Sequence, residues 1–325
     1  MTEISEQLTK YLTDAHSIEE QALAQLRTAP DLAGDPEIAA AFWTHLRETE
    51  AHERRVRSAL EARHAEPSAL KDTVMRAGGK GFLLFARLQP DTPGKLAAHA
   101  FSYEALELAS YELLRRVAEC AGEPAVAELA REIAEEERAM LERLEGLLER
   151  SVEASLEAVG ADDLREQLRK YLADAHAIEE QAIALLERAP EVTDHPQLLA
   201  AYEEHLVETR EHAELVQARL QALGGDPSNL KDAALRLGAL QWAAFFRAHP
   251  DTAAKLAAFA YAFEHLEIGG YEQLKRVAER AGDDQTVRVA EQILLQERNA
   301  AERIASGFDD ATAAALEAQS VTEPA

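Results

Sequence analysis

The chain is written twice. EQLTKYLTDAHSIEEQALAQL, beginning at Glu6, returns 160 positions later as EQLRKYLADAHAIEEQAIALL, beginning at Glu166. HLRETEAH (His45 to His52) returns as HLVETREH (His205 to His212), and LKDTVMR at Leu70 as LKDAALR at Leu230. FSYEALELASYELLRRVAE, from Phe101, has its counterpart within FAYAFEHLEIGGYEQLKRVAE, which opens at Phe259. A repeat this long makes each copy a candidate folding unit, and it must be recognised before any fold is assigned. It also allows an internal comparison, in which polar residues kept while their neighbours drift are the first to inspect.

With 325 residues there is room for two domains of ordinary size, each able to bury its own core. Scarce Gly and Pro, abundant Ala, Leu and Glu, and few aromatic residues favour helix. Thirty-four basic against 60 acidic side chains leave a net charge of −26, which opposes nucleic acid and anionic membrane surfaces as partners. The single cysteine, Cys120, is replaced by Arg280 in the second copy and excludes an intrachain disulfide or a paired-cysteine metal knuckle. The start, MTEISEQLTKYL, has no apolar signal core, and no stretch has the apolar length of a membrane span. A soluble, cytoplasmic protein is expected.

Each copy divides into five helical segments, in the first copy at about 3–28, 36–64, 68–88, 92–121 and 123–156. The breaks fall at AlaPro (29–30), AspPro (35–36), GluPro (66–67), the turn at 89–93 and AlaGly (121–122), with matching breaks in the second copy. Long helices with short connections pack as an up-down bundle, the short third segment serving as a crossover or cap. The expected organisation is all-α: a helical bundle over 1–150, a partly helical linker over 151–164 with a break at Gly160, a second bundle over 165–308, and a partly disordered tail over 309–325.

The core stripes then turn polar in the middle. Helix one runs Leu8, Leu12, Ala15, Glu19, Ala22, Leu26, with Glu19 where an apolar residue belongs. Helix two runs Ile38, Phe42, His45, Thr49, His52, Val56, with Glu48 on an adjoining face. Helix four carries Glu104 between Phe101 and Leu108, with Glu107 and Tyr111 following. The last helix carries Glu137 between Ile133 and Met140. An unpaired carboxylate in a bundle interior is costly and must neutralise or find a partner. Four helices placing such groups at one height, with no Lys or Arg in the same stripes, point to bound dications, and Glu with His on four facing helices is a di-iron or di-manganese arrangement. The second copy repeats the set as Glu179, Glu208, His212, Glu264, Glu267, Tyr271 and Glu297, while Glu136 becomes Gln296.

The competing reading is structural. Isolated histidines such as His16 and His45 are more often hydrogen-bonded core groups than ligands, and Tyr111 and Tyr271 more often core residues with satisfied hydroxyls. Glu48 and Glu107 flank the stripe and fit either a ligand or a solvated flank. The set Glu19, His52, Glu104 and Glu137 resists the structural reading, because four helices agree in height and phase.

The pattern D-A-H-x-I-E-E-Q, then H-L-x-E-T-x-x-H, then E-x-x-E-[LI]-x-x-Y resembles the ferritin-like DUF892 family of bacterial stress-response proteins, the YciF-like group, over about 5–148 and again 165–308. The resemblance implies compact bundles related to rubrerythrin and ferritin that commonly dimerise. Here that implies an intramolecular pseudo-dimer of the two copies, or a homo-oligomer of the chain. If the copies pack through their first two helices, His45 and His205 are expected at that seam. The metal ligands it implies are Glu19, Glu48, His52, Glu104, Glu107 and Glu137, with Glu179, Glu208, His212, Glu264, Glu267 and Glu297 in the second copy. Two departures from the ferritin pattern stand out. Glu48 and His52 are spaced by four rather than three, and the last helix has no histidine. His16 or His45 could supply the missing nitrogen. Three classes of function follow: an oxygen- or peroxide-linked oxidoreductase with an external electron donor, iron binding without turnover, and a metal-free structural or interaction protein of the stress response.

Overall fold

The computed structural model describes residues 4–69, 72–73, 92–159, 163–191, 193, 195–226 and 252–319. All regular structure among them is helical. The chain divides into two compact units, Met1–Val159 and Gly160–Ala318.

In the first unit the helices are α1 (Ile4–Leu26), the single turn α2 (Ala29–Leu32), α3 (Pro36–Ala62), α4 (Thr92–Cys120), α5 (Pro124–Glu145) and α6 (Leu148–Val159). α1 packs on α3, α3 on α5, α5 on α4 and α4 back on α1, which closes a four-helix ring. Its interior is the apolar stripe read from each helix: Leu8 and Leu12, Ile38, Phe42 and Val56, Phe101 and Leu114, Ile133 and Met140 are all essentially inaccessible. The second unit repeats the ring with α7 (Leu164–Leu186), α8 (Pro196–Ala222), α9 (Thr252–Ala281) and α10 (Asp284–Ser306), preceded at α8 by a 3₁₀ turn at Ala189–Glu191 and followed by α11 (Phe308–Ala318).

Local chemistry sets the ends. Pro36 opens α3 at a position whose N–H has no helical partner, and the Asp35 carboxylate accepts from the N–H groups of Glu37 (2.8 Å) and Ile38 (3.1 Å). Gly122 and Gly282 end α4 and α9 in the left-handed conformation, with φ of +68° and +67°, and the N–H of Glu123 turns back to the Ala118 carbonyl at 2.9 Å.

Two features refine the sequence expectation. The segment 123–156 is two helices, because the chain turns at Gly146–Leu147 so that Leu148, Ser151, Val152 and Ser155 are buried; Ser155 Oγ accepts from the Gly94 N–H at 2.7 Å. α6 thereby packs on α4 and occupies most of the stretch read as linker. In the second unit the helix continues to Ala318 within the stretch read as tail, after a turn at Gly307, with Phe308, Ala311, Thr312 and Ala315 buried. The expected short third helix, 68–88, lies almost wholly outside the described residues, as do its counterpart and the final segment SVTEPA. Among the described residues no helix is long and apolar enough to cross a membrane.

The copies differ usefully at one cap. His195 stands where Asp35 does and makes no side-chain cap hydrogen bond to α8. His195→Asp is expected to stabilise the second unit by about 1 kcal/mol, and Asp35→Ala to destabilise the first by a similar amount. Thermal unfolding followed by circular dichroism checks both signs.

Candidate metal centre

The four ring helices of the first unit bring six ionisable side chains to one level of the interior. α1 contributes Glu19, α3 His45 and His52, α4 Glu104 and Glu107, and α5 Glu137; none is more than 3 % exposed. His45 and His52 are seven residues apart, nearly two full turns, so they return to the same face of α3, with ring centroids 6.5 Å apart. Thr49 lies between them and turns its hydroxyl back to the His45 carbonyl at 2.9 Å, which keeps that polar group out of the interior. Glu104 and Glu107, one turn apart on α4, face the same space.

The six fall into two overlapping groups, within each of which one ligand atom per residue lies within 4.8 Å of the others: His45, Glu104, Glu107 and Glu137, and Glu19, His52 and Glu137. Glu137 belongs to both. His45 Nε2 lies 2.9 Å from Glu104 Oε2 and 3.4 Å from Glu137 Oε2, and His52 Nδ1 lies 2.9 Å from Glu137 Oε1 and 3.8 Å from Glu19 Oε1. These atoms are close yet poorly aligned for hydrogen bonding. Glu19 Oε2, His45 Nε2, His52 Nδ1, Glu104 Oε2 and both oxygens of Glu107 and Glu137 are buried with no hydrogen-bond partner. The second unit repeats the arrangement with His205, Glu264, Glu267 and Glu297, and with Glu179, His212 and Glu297. Its orphaned atoms are the equivalent ones.

Buried polar atoms are nearly always satisfied, and orphaned donors and acceptors cost about 1–3 kcal/mol each. A set of orphans that converges on shared points, made of carboxylate oxygens and imidazole nitrogens, is a donor set suited to a divalent metal ion. The residues of either group could hold a metal ion.

The electrostatics follow from the same burial. Desolvation, with the repulsion of Glu137 adding to it, outweighs the pull of His52 and the Tyr111 hydroxyl and pushes Glu19 up to about 8. Desolvation pushes Glu104 up to about 7 against the attraction of His45. Glu107 is driven well above the carboxylate range, by burial first and by its three acidic neighbours after that. Burial alone would lower the histidines. For His45 the charges of Glu104 and Glu137 overturn it and raise the group, and for His52 the contacts with Glu137 and Glu19 raise it to about 9. Glu137, desolvated but facing both imidazoles, is held below its usual value. In the second unit Glu179 is raised to about 8 and Glu264 to about 7, both chiefly by burial. His205 is raised to about 11, burial being outweighed by Glu264 and Glu208.

A surrounding layer orients these groups. The Tyr111 hydroxyl donates to Glu19 Oε1, and Tyr271 to Glu179 Oε1. His45 Nδ1 meets Glu48 at 3.1 Å and His205 Nδ1 meets Glu208 at 3.3 Å. Of the residues read as ligands from the sequence, Glu48 and Glu208 therefore stand behind a histidine, partly exposed, and outside both groups. The other ten are drawn together. The sequence leaves His45 and His205 open as core histidines or groups at a seam between copies, with His45 or His16 also a candidate for the missing nitrogen. In the structure they lie within the carboxylate clusters of their own units, where they offer the nitrogen that the last helix lacks. The signal for this is the histidine pair spaced by seven in HLRETEAH and HLVETREH, which places both rings on one face.

His16 behaves as the structural reading expects. Its Nε2 meets Glu53 at 2.9 Å and its Nδ1 meets Asp72 at 3.3 Å. Although His16, Glu20 and Glu53 also come within ligand distance, the Arg57 guanidinium already holds Glu53, and Ala213 and Gln217 replace Glu53 and Arg57 in the second copy.

The family model for a domain of unknown function, DUF892, matches residues 3–157 and 163–317. Among solved structures, a crystal structure of a protein from Xanthomonas campestris pv. campestris str. ATCC 33913 is 30% identical, with the match covering 49% of this chain and 100% of that one at a TM-score of 0.40.

Two outcomes are expected. Glu107→Leu removes a buried carboxyl whose charged form is opposed by burial and by its acidic neighbours, so it should stabilise the metal-free protein by about 1–3 kcal/mol while weakening metal uptake. Thermal melts with and without Mn(II) read both effects. Metal binding needs deprotonated ligands. At neutral pH Glu19 and His52 hold protons that a dication must displace, so Mn(II) affinity should rise with pH through the range from about 7 to about 9. Titrations across that range, with proton release measured in weak buffer, check the sign; a flat profile contradicts it.

Proposed function

The chain belongs to the DUF892 family across both of its halves, and from that premise we propose that each half is a ferritin-like bundle holding a dinuclear iron or manganese group. The observation that carries this reading is the converging set of buried, orphaned donors, four carboxylates and two imidazoles per half. That inventory equals the one carried by ferritin-like di-metal bundles, although both imidazoles here come from α3 rather than from two helices. His45 with Glu104 and Glu107 would serve one ion, Glu19 with His52 the other, and Glu137 both. Bound iron or manganese would supply redox chemistry toward oxygen or peroxide.

The protein's own contribution is preparation. The apolar rings above and below exclude water, and Tyr111 and Glu48 fix the rotation of Glu19 and His45. Carboxyls raised toward neutrality by burial, Glu19 and Glu104, would release their protons as metal binds. The stress-response role implied by the resemblance fits such chemistry, and the covalent tandem supports an intramolecular pair of like halves. The second reading, a metal-free structural bundle, draws on the same contacts: His45 against Glu104, and His52 against Glu137, are ion pairs that hold the interior together without metal when the imidazoles are protonated.

Peroxide consumption decides between oxidoreductase and simple metal holder. Protein loaded anaerobically with Fe(II) or Mn(II) should remove hydrogen peroxide faster than the free ion does. The paired substitution Glu137→Gln, Glu297→Gln should abolish the difference. Loaded wild type no faster than free metal would remove the oxidoreductase part of the reading.

A further inference from the structure

The two halves keep the same six inner groups but differ in what stands behind them. In the first half His52 Nε2 meets the Glu136 carboxylate at 2.9 Å, which fixes the tautomer and leaves Nδ1 aimed at Glu137 and Glu19. In the second half His212 Nε2 meets the side-chain oxygen of Gln296 at 3.2 Å, while its Nδ1 keeps the same inner contacts, 2.8 Å to Glu297 and 3.8 Å to Glu179. The neighbours changed together. Arg55, which binds Glu132 and reaches Glu136 at 3.5 Å, and Glu132 itself become Leu215 and Gln292.

The other histidine shows a difference of the same sign. Glu48 lies 3.1 Å from His45, and the nearby Arg143 donates to Met140 Sδ. Glu208 lies 3.3 Å from His205 and is shared with Arg303, the counterpart of Arg143, at 2.5 Å, so part of its charge is taken. A carboxylate behind a ligating imidazole makes it a better electron donor, and a hydrogen bond to an ionised acceptor is stronger than one to an amide.

Resting on the dinuclear reading above, we infer that the two halves are unequal metal sites, with Glu136 the positioning residue that makes the first half the tighter one and Gln296 the residue that weakens the second. Removal of such an outer carboxylate typically costs about 10- to 100-fold in metal affinity, so the halves differ by about that factor.

Mn(II) titration of the full chain, followed by the electron paramagnetic resonance signal of the free ion, tests this. Wild type should fill in two phases. Glu136→Gln should bring the tight phase down to the weak one, and Gln296→Glu should bring the weak phase up toward the tight one. That gain is one a loosened structure would not produce. Glu136 is exposed and Gln296 half-buried, and both substitutions preserve side-chain shape, so the fold is retained, as circular dichroism verifies. Phases that neither substitution moves, or a single class of site unmoved by either, overturn the inference while leaving the metal sites standing. Wild type that takes up no Mn(II) overturns the dinuclear reading, and this inference with it.

Discussion

Everything in each half depends on the cost of burying four carboxylates and two imidazoles in one layer of a helix bundle. Left as six independent charges, that layer would unfold the bundle, because desolvation in a helical interior outweighs what any one contact returns. The fold manages it by placing the layer at mid-height, between rings of buried apolar side chains such as Phe42, Phe101 and Leu114. The groups then share protons among themselves: Glu19 and Glu104 move up, Glu137 moves down, and the imidazoles move up beside it. The apolar rings supply stability, and the polar layer consumes part of it.

Much of this is legible in the sequence, because a helix reports its own faces. A glutamate in a stripe of Leu and Ala at steps of three and four must point inward, and Glu19, Glu104 and Glu137 do. What periodicity along one helix does not report is which tips meet across the bundle. His45 and Glu48 illustrate the gap. The two are one turn apart on α3, yet His45 reaches the cluster and Glu48, on the adjoining face, stops behind it as a hydrogen-bond partner. The turn at Gly146 is hidden for a different reason. It interrupts a run of strong helix formers, and an isolated Gly is compatible with a continuous helix until tertiary packing decides. Here the decision comes from Val152 and Ser155, which gain burial against α4 only if the chain turns.

The duplication adds a second level of information. Two copies in one covalent chain preserve the inner six groups residue for residue while allowing the outer layer to drift. Glu136 and Gln296, Arg55 and Leu215, and Glu53 and Ala213 mark that drift. Such a pattern is what separates residues held by chemistry from residues held by packing, and it does so within one molecule.

Metal counting tests most directly whether each half holds two ions on these side chains. Tag-free protein from cells supplied with iron and manganese, analysed by elemental mass spectrometry beside the Glu137→Ala, Glu297→Ala protein, should carry about four ions per chain, two for each dinuclear group. The substituted protein should lose them while remaining helical. Wild type with no iron or manganese above background, or a count that survives both substitutions, would contradict the account.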